Sequence, residues 1–353
     1  TCRDWSSDVC SSDLAMAAMI LEPTRVTPVA YDVDVCVVGA GPGGICAAVS
    51  AARNGAATLL VERYGYLGGM ATAGLVNPFM DFHIDGRPII RGVFHEWIDG
   101  MKARDGFIDV GKRGRLIFDP EIAKIVAMDM CLAAGVKLHL HAFLDNVMMA
   151  GQRVTHAVFA GKTRVAAAAR QFIDATGDGD LAAMAGAPFE YGRDEDQAAQ
   201  PMTLCFNMLG VDWSALETYG DTPEARKSKK EMLQGLYDKA RAQGRIECTR
   251  ENVLIFSAMR DDEVHFNTTR VIRRKATDSL ELTAAEIEAR RQMDQFVRWL
   301  RSDVPGFRNA YLSTSGAQIG VRESRRFKCL YTLTKDDVLG CRKFDDGVVR
   351  ANY

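Results

Sequence analysis

The sequence predicts an α/β fold built on a parallel sheet, with a second, mixed α+β domain following at about residue 187. Three observations predict it. A buried apolar run leads into a glycine-rich turn, an alanine-rich helix and a second apolar run, which together make one βαβ unit. Short β-like runs punctuated by glycines follow between about residues 144 and 175. Beyond residue 187 the texture changes to a polar, then an apolar, then a basic helical stretch.

Each element has a local reason. In residues 31–38, alternating and then continuous apolar residues (Val33, Val35, Cys36, Val37, Val38) mark a buried parallel strand that Gly39 stops. Residues 45–54 are rich in alanine and close at Gly55, suited to the C′ position, before residues 58–62 form a second buried strand. Asp119 and Pro120 supply an N-cap and an N1 proline, and Ile122, Ile125, Val126 and Met130 share a face up to Gly135. The runs 146–150, 153–160, 163–167 and 171–174, with turns at Gly151 and Gly161, read as an antiparallel β-meander. In the second domain, polar residues 193–200 precede an apolar run 202–211 and a helical segment 223–244, whose lysines and arginines read as a solvated face. Thr283 and Glu286 have capping-box spacing, and Ile287, Met293, Phe296, Val297 and Leu300 form a stripe before Pro305. The expected division is 15–186, then 187–315, then a return to the first domain over 316–353.

Composition narrows the function classes. With 353 residues, 47% hydrophobic and 25% charged, the chain can bury two cores. Its 44 basic residues against 46 acidic ones, a net charge of −2, give no general attraction to nucleic acid or anionic lipid. The nine cysteines are scattered without a C-x-x-C pair, which suits reduced thiols in a cytoplasm. No apolar run approaches the roughly 18–20 residues that span a bilayer, and residues 14–21 lack the length and basic flank of a signal peptide. Residues 1–14 look like one reading frame of a sequencing adapter and are set aside from fold reasoning.

The chemistry concentrates in Gly39-Ala40-Gly41-Pro42-Gly43-Gly44, a G-x-G-x-x-G placed between predicted strand and helix. Gly39 permits the tight turn, Gly41 admits a pyrophosphate to the backbone, and Gly44 lets helix and strand pack closely. The helix N-terminus beyond offers unpaired N–H groups to phosphates. Glu62 ends the second strand 23 residues after Gly39, where a carboxylate accepts hydrogen bonds from an adenosine ribose. The fingerprint alone does not separate NAD from FAD.

Here the chain resembles the glutathione-reductase-like FAD-binding superfamily, the broad group of FAD-dependent oxidoreductases that includes the flavin region of heterodisulfide reductase A-like proteins. The resemblance spans roughly residues 31–353. It rests on the glycine motif, on Glu62-Arg63 followed by Leu67-Gly68-Gly69-Met70-Ala71-Thr72-Ala73-Gly74, and on the meander. Ile173-Asp174-Ala175-Thr176-Gly177-Asp178-Gly179-Asp180, Ile319-Gly320-Val321-Arg322-Glu323-Ser324-Arg325-Arg326 and Tyr331-Thr332-Leu333-Thr334 complete it. The resemblance implies FAD, with Glu62 on the ribose, Arg63 beside adenine, Gly68-Gly69 against the pyrophosphate, and Met70 to Gly74, Thr72 included, leading to the flavin ring. Asn146-Val147 would lie near adenine, and Ala175-Thr176-Gly177 would form a second turn meeting the cofactor. In the resembling family the chain continues with a further strand and helix, so the sequence ending at Ala351-Asn352-Tyr353 reads as a fragment.

No metal site is expected: Asp178 and Asp180 lack the further oxygen ligands of a Ca²⁺ loop and read as turn and cap residues, and the cysteines are too dispersed for an iron–sulfur cluster. Catalytic groups are less legible, because a flavin carries the electron chemistry. His83 and His265 read either as proton donors or, preferably, as structural histidines. Arg322 reads either as a group that clamps an anionic substrate or polarises the flavin edge, or as an interdomain ion-pair partner of Glu323 or a nearby acid. The expected activity is hydride transfer between FAD and a small organic substrate, with an unidentified electron donor or acceptor. The partners expected are small molecules, with no nucleic acid or membrane, and a homo-oligomer is left open. The alternatives are an NAD(P)-dependent dehydrogenase, or a protein that uses the flavin fold without redox chemistry or in RNA modification.

Overall fold

The structure is a computed structural model that describes residues 21–80, 82–84, 87–109, 116–215 and 223–347. The side chains of 83, 84 and 223–229, and the expectations attached to residues 1–14 and 351–353, lie outside the described residues.

The chain enters through β1 (Val29–Val38), α1 (Pro42–Arg53) and β2 (Thr58–Val61). The helix starts three residues before its apolar pattern does, because Pro42 sits at N1, where its missing N–H is no loss. Two short ribbons, β3 (His83–Ile84) with β4 (Arg87–Pro88) and β5 (Phe107–Asp109) with β6 (Leu116–Phe118), bracket α2 (Val93–Lys102). Next come α3 (Pro120–Ala133), β7 (Lys137–His139), β8 (Phe143–Ala150), β9 (Arg153–Ala160) and β10 (Val165–Asp174). Asp119 caps α3 as expected, accepting from the N–H groups of Glu121 at 2.8 Å and Ile122 at 3.3 Å. Its buried stripe is Ala123, Val126, Ala127 and Cys131, however, and Ile125 is half exposed.

These strands form one sheet in the order β7-β2-β1-β10-β9-β8. The first four are parallel, and β9 and β8 add antiparallel. The last two runs of the predicted meander are one ten-residue strand, β10, which pairs with β1 from Ala166 to Asp174. The alanines at 166–169 carry no side-chain alternation, so sequence breaks the strand where tertiary pairing joins it. Helices α1 to α3 cover one face around Ile45, Trp97 and Phe118, and the other face packs Cys36, Val38 and Phe159 with Leu181 of α4 (Asp180–Met184).

The rest comprises β11 (Phe189–Tyr191), β12 (Phe206–Leu209), α5 (Pro223–Ala242), β13 (Ile255–Ser257), β14 (Glu263–Phe266), α6 (Ser279–Asp303), β15 (Tyr311–Ser315), β16 (Arg325–Phe327) and α7 (Lys335–Leu339). An antiparallel sheet in the order β13-β14-β12-β15 buries Phe206 and Phe266 with Tyr237 of α5 and Phe296 and Trp299 of α6. Helix α6 begins four residues before the Thr283 expected to cap it. Asp278 is the cap, accepting from Leu280 N–H at 2.9 Å and Glu281 N–H at 3.0 Å. Thr283 instead donates to the Ser279 carbonyl, and Glu286 accepts from Ile319 N–H. The nearest upstream carboxylate has won over the T-x-x-E spacing.

After β15 the chain returns between the two sheets. Gln318 N–H donates to the Ala73 carbonyl at 3.3 Å, and Gly320 and Thr203 exchange backbone hydrogen bonds at 2.8 and 3.1 Å. Further on, β16 pairs antiparallel with β11.

Candidate cofactor site

A cavity of about 690 Å³ opens at the carboxyl ends of β1, β2 and β10, where Val38, Val61 and Asp174 reach its wall. Ligands of open parallel sheets bind at this end. Three turns line it, and each is compact for a stated steric reason.

The first is the glycine turn. Gly39 has φ +96°, and a Cβ there would stand 2.3 Å from the Ala175 carbonyl oxygen, so only glycine fits between β1 and the turn after β10. A Cβ on Gly44 would meet the Gly39 carbonyl at 1.9 Å, which makes Gly44 a packing residue behind the wall. Gly41 N-caps α1 with no side chain on the first-turn N–H groups, and Gly41, Pro42 and Gly43 all line the cavity. A helix N-terminus left in this way is an anion site.

The second turn presses on the first. Gly69, at φ +52°, comes so near Gly41 that an added Cβ would lie 2.7 Å from its Cα. Gly68 N–H donates to the Ala40 carbonyl at 2.8 Å, and the buried Thr72 hydroxyl donates to the Leu67 carbonyl at 2.9 Å. Gly68 and Thr72 therefore shape the turn, whereas Gly69 and Met70 line the cavity. In the third turn Asp174 accepts from the Thr176 N–H at 3.0 Å, the Thr176 hydroxyl at 2.7 Å and Ala182 N–H at 2.8 Å. This fixes Ala175, Thr176 and Gly177 along the same cavity.

Glu62 is buried at the cavity wall. Its carboxylate accepts from Ala40 N–H at 2.7 Å and Tyr64 N–H at 3.0 Å, and keeps lone pairs for a further donor. Arg63 lines the cavity too, but its guanidinium donates to Gln318 at 2.6 Å, and the Tyr64 hydroxyl donates to the same amide oxygen. Val147, expected near adenine, is buried in the core; strand β8 reaches the cavity through Phe143 and Leu144 instead.

Sequence reasoning missed Arg325 and Phe327, which line the cavity from the returning segment. Arg325 donates to the Asp178 carbonyl at 2.8 Å and the Asp180 carboxylate at 2.7 Å and lies over the Phe189 ring at 5.3 Å. Its buried Nε has no partner among the described residues. The run from Val321 to Arg326 signalled a cationic segment, but periodicity does not tell which of three arginines turns inward. Asp180, read as a cap, is an ion-pair partner, and burial holds the Asp178 carboxyl above its ordinary pKa against a Ser324 hydrogen bond.

Neither His265 nor Arg322 lines this cavity. His265 sits inside the second sheet, its Nδ1 2.7 Å from Asn207 Oδ1, and burial lowers its pKa to about 4. His83 lies in β3 opposite Pro88, with its side chain outside the described residues. Arg322 lines a separate cleft, and Glu323 pairs with Arg326 and accepts from Gln200 N–H at 2.9 Å, so the Arg322–Glu323 ion pair is not formed. Burial also pushes the Cys36 and Cys131 thiols up to about 12, so neither offers a thiolate at neutral pH.

The residues fit FAD: an uncapped helix N-terminus, a glycine cradle that any Cβ would fill, a buried carboxylate with free lone pairs and an unpartnered guanidinium nitrogen share one cavity. Fold and site define a dinucleotide-binding α/β protein. The chain belongs to the FAD dependent oxidoreductase family, whose model matches residues 34–353. It is similar to the thiamine thiazole synthases of Pyrobaculum arsenaticum, 33% identical over 123 residues (34% of this chain, 42% of that one), and Pyrobaculum aerophilum, 33% identical over 129 residues (35% and 44%). The chain thus spans less than half the length of these curated relatives. Among solved structures it is similar to a geranylgeranyl bacteriochlorophyll reductase-like protein from Thermoplasma acidophilum, at 16% identity and a TM-score of 0.49, covering 82% of this chain and 66% of that one. No helix among the described residues is long and apolar enough to cross a membrane.

Proposed function

We propose that the enzyme transfers hydride between its flavin and a small organic substrate, with a separate electron donor or acceptor completing the cycle. The observation that carries this reading is the convergence of the three turns on one cavity beside the segment returning from β15. In this reading the first-turn N–H groups of α1 hold the pyrophosphate and Glu62 accepts from the adenosine ribose. Met70 and the residues after it approach the flavin ring, and Arg325 gives its unpartnered Nε to the cofactor. Bound flavin supplies two-electron chemistry, and the protein binds, orients and excludes water. Substrate meets the flavin at the end of the cavity lined by Gly69 and Met70, a concave site of the kind that holds small ligands.

The test is the visible spectrum of the full chain, followed by anaerobic mixing with panels of small organic donors and with NADH or NADPH. Bleaching of a bound flavin by an organic donor is expected. A protein that binds flavin but is bleached by nothing would remove the redox reading. A second reading, thiazole formation, is favoured by the 33% identity to the two thiamine thiazole synthases, and would show as a thiazole product without flavin bleaching.

A further inference from the structure

A second cleft, of about 260 Å³, lies at the foot of the second sheet and is lined by Thr203, Arg250, Glu251, Arg270 and Arg322 among others. Three guanidinium groups therefore share it with one carboxylate. Glu251 gives both oxygens to Arg270, at 2.9 and 3.1 Å, while itself remaining largely exposed. Arg250 and Arg322 engage no side chain by hydrogen bond or ion pair among the described residues, and Glu323, beside Arg322, is taken by Arg326. Arg250, half buried, and Arg322 repel each other across one small cleft in which the Glu251 carboxylate, already bonded to Arg270, is the counter-charge. In keeping with this, burial and the charges of Arg322 and Arg270 lower the Arg250 pKa. Such an arrangement is stable as an anion receptor, since the planar fork of arginine matches the paired oxygens of carboxylate and phosphate.

The cleft is tied to the cofactor cavity by one short segment. Gly320, two residues before Arg322, pairs with Thr203, and Gln318 pairs with Ala73 and Arg63. A Cβ on Gly320 would stand 3.8 Å from Val76, at the end of the loop that begins with the Gly69 turn. We propose that Arg250, Arg270 and Arg322 form an oxyanion subsite, and that the enzyme's organic substrate carries a carboxylate or phosphate that docks there. This rests on the small-substrate reading above and narrows its class. The cleft anchors the anionic end of the substrate, and the reacting end extends along the returning segment toward the flavin loop.

The experiment uses the full chain loaded with FAD. Phenylglyoxal labelling, read by mass spectrometry, reports each arginine with and without inorganic phosphate or succinate. Either anion should slow labelling of Arg250 and Arg322 several-fold and leave Arg298, on the exposed face of α6, unchanged. Phosphate and succinate arms distinguish the two sources of the oxyanion. By calorimetry, Arg322→Gln and Arg250→Gln should each weaken the preferred anion by about tenfold or more, and Arg322→Lys should restore only part of it. The bound FAD per chain should not change, because none of these residues lines the cofactor cavity. Equal labelling with and without both anions overturns the subsite, as does unaltered anion binding in the glutamine variants. If donors bleach the flavin while the arginines prove silent, the subsite fails and the oxidoreductase reading stands. If the anion binds as expected and no donor bleaches the flavin, the subsite stands and the oxidoreductase reading fails.

Discussion

Replacing Glu62 by alanine separates two jobs that its carboxylate does. The buried carboxylate accepts from Ala40 and Tyr64 N–H groups at 2.7 and 3.0 Å, and its remaining lone pairs face the cavity. A hydrogen bond to a charged group contributes about 1.5–3 kcal/mol, so loss of the two internal bonds costs about 3 kcal/mol when water from the open cavity replaces part of them. At roughly 2–4 °C per kcal/mol for domains of about 150–250 residues, that is a fall of several degrees in Tm. Loss of the ribose contacts adds about 1.5–3 kcal/mol to FAD binding, a tenfold to hundredfold weakening at 1.4 kcal/mol per decade. Glu62→Gln keeps one carbonyl oxygen for one N–H group and sets an amide N–H against the other, so it should fall between wild type and alanine in both measures. The assays are thermal unfolding with and without added FAD, and FAD retained through dialysis. If Glu62→Ala lowers Tm but retains flavin like wild type, Glu62 braces the turn and does not hold the ribose, and the assignment is refuted.

Gly69→Ala should remove bound FAD at modest cost to the rest of the fold, because the new Cβ at φ +52° meets Gly41 Cα at 2.7 Å and drives the two turns apart; absorbance at the flavin band per chain measures it. Arg325→Gln loses the Asp180 ion pair, and FAD affinity should drop about tenfold; retention equal to wild type would make Arg325 a brace between β16 and α4 alone. His265 has a folded pKa depressed to about 4, so its contribution to stability is complete above its unfolded value near 6.5 and is lost as pH falls toward 4, by up to about 3 kcal/mol. His265→Gln should flatten that acid-side slope in denaturant titrations, whatever it does to stability at neutral pH. Asp278→Ala should cost about 1 kcal/mol by removing the cap of α6, and Thr283→Ala only a few tenths; the reverse order in chemical denaturation would restore Thr283 as the cap.

The parts of the fold legible in the sequence are those where a backbone requirement admits few residue types. Gly39 and Gly44 could be assigned because a turn after a buried strand excludes a Cβ, and Asp119-Pro120 because N-cap and N1 preferences are local. The strand β10 was split because its central alanines fit helix, strand or turn, and only pairing with β1 decides among them. The α6 start was misplaced for a related reason: Asp278 and Thr283 are both competent caps, and helix length is settled by packing against the second sheet. The direction of Ile125 and Ile287 likewise depends on which neighbour covers each helix, information absent from a periodicity of 3.6 residues.

The site divides along the same line. The half of the site proposed to hold the pyrophosphate is made of backbone, so glycines at fixed spacing announce it. Its other half is made by side chains brought together over long separations, as Arg325 meets Asp180 across 145 residues and Arg63 meets Gln318 across 255. Such contacts join the returning segment to the first sheet, and the same segment leads through Gly320 to Arg322 and the arginine cleft. In the proposed subsite, Arg322 therefore rides on the segment that lines the cofactor cavity through Arg325 and Phe327. It follows that substitutions at Gln318 or Gly320, which touch neither the glycine turns nor the cleft's guanidinium groups, perturb both sites together, whereas those in the turns or the cleft perturb one at a time.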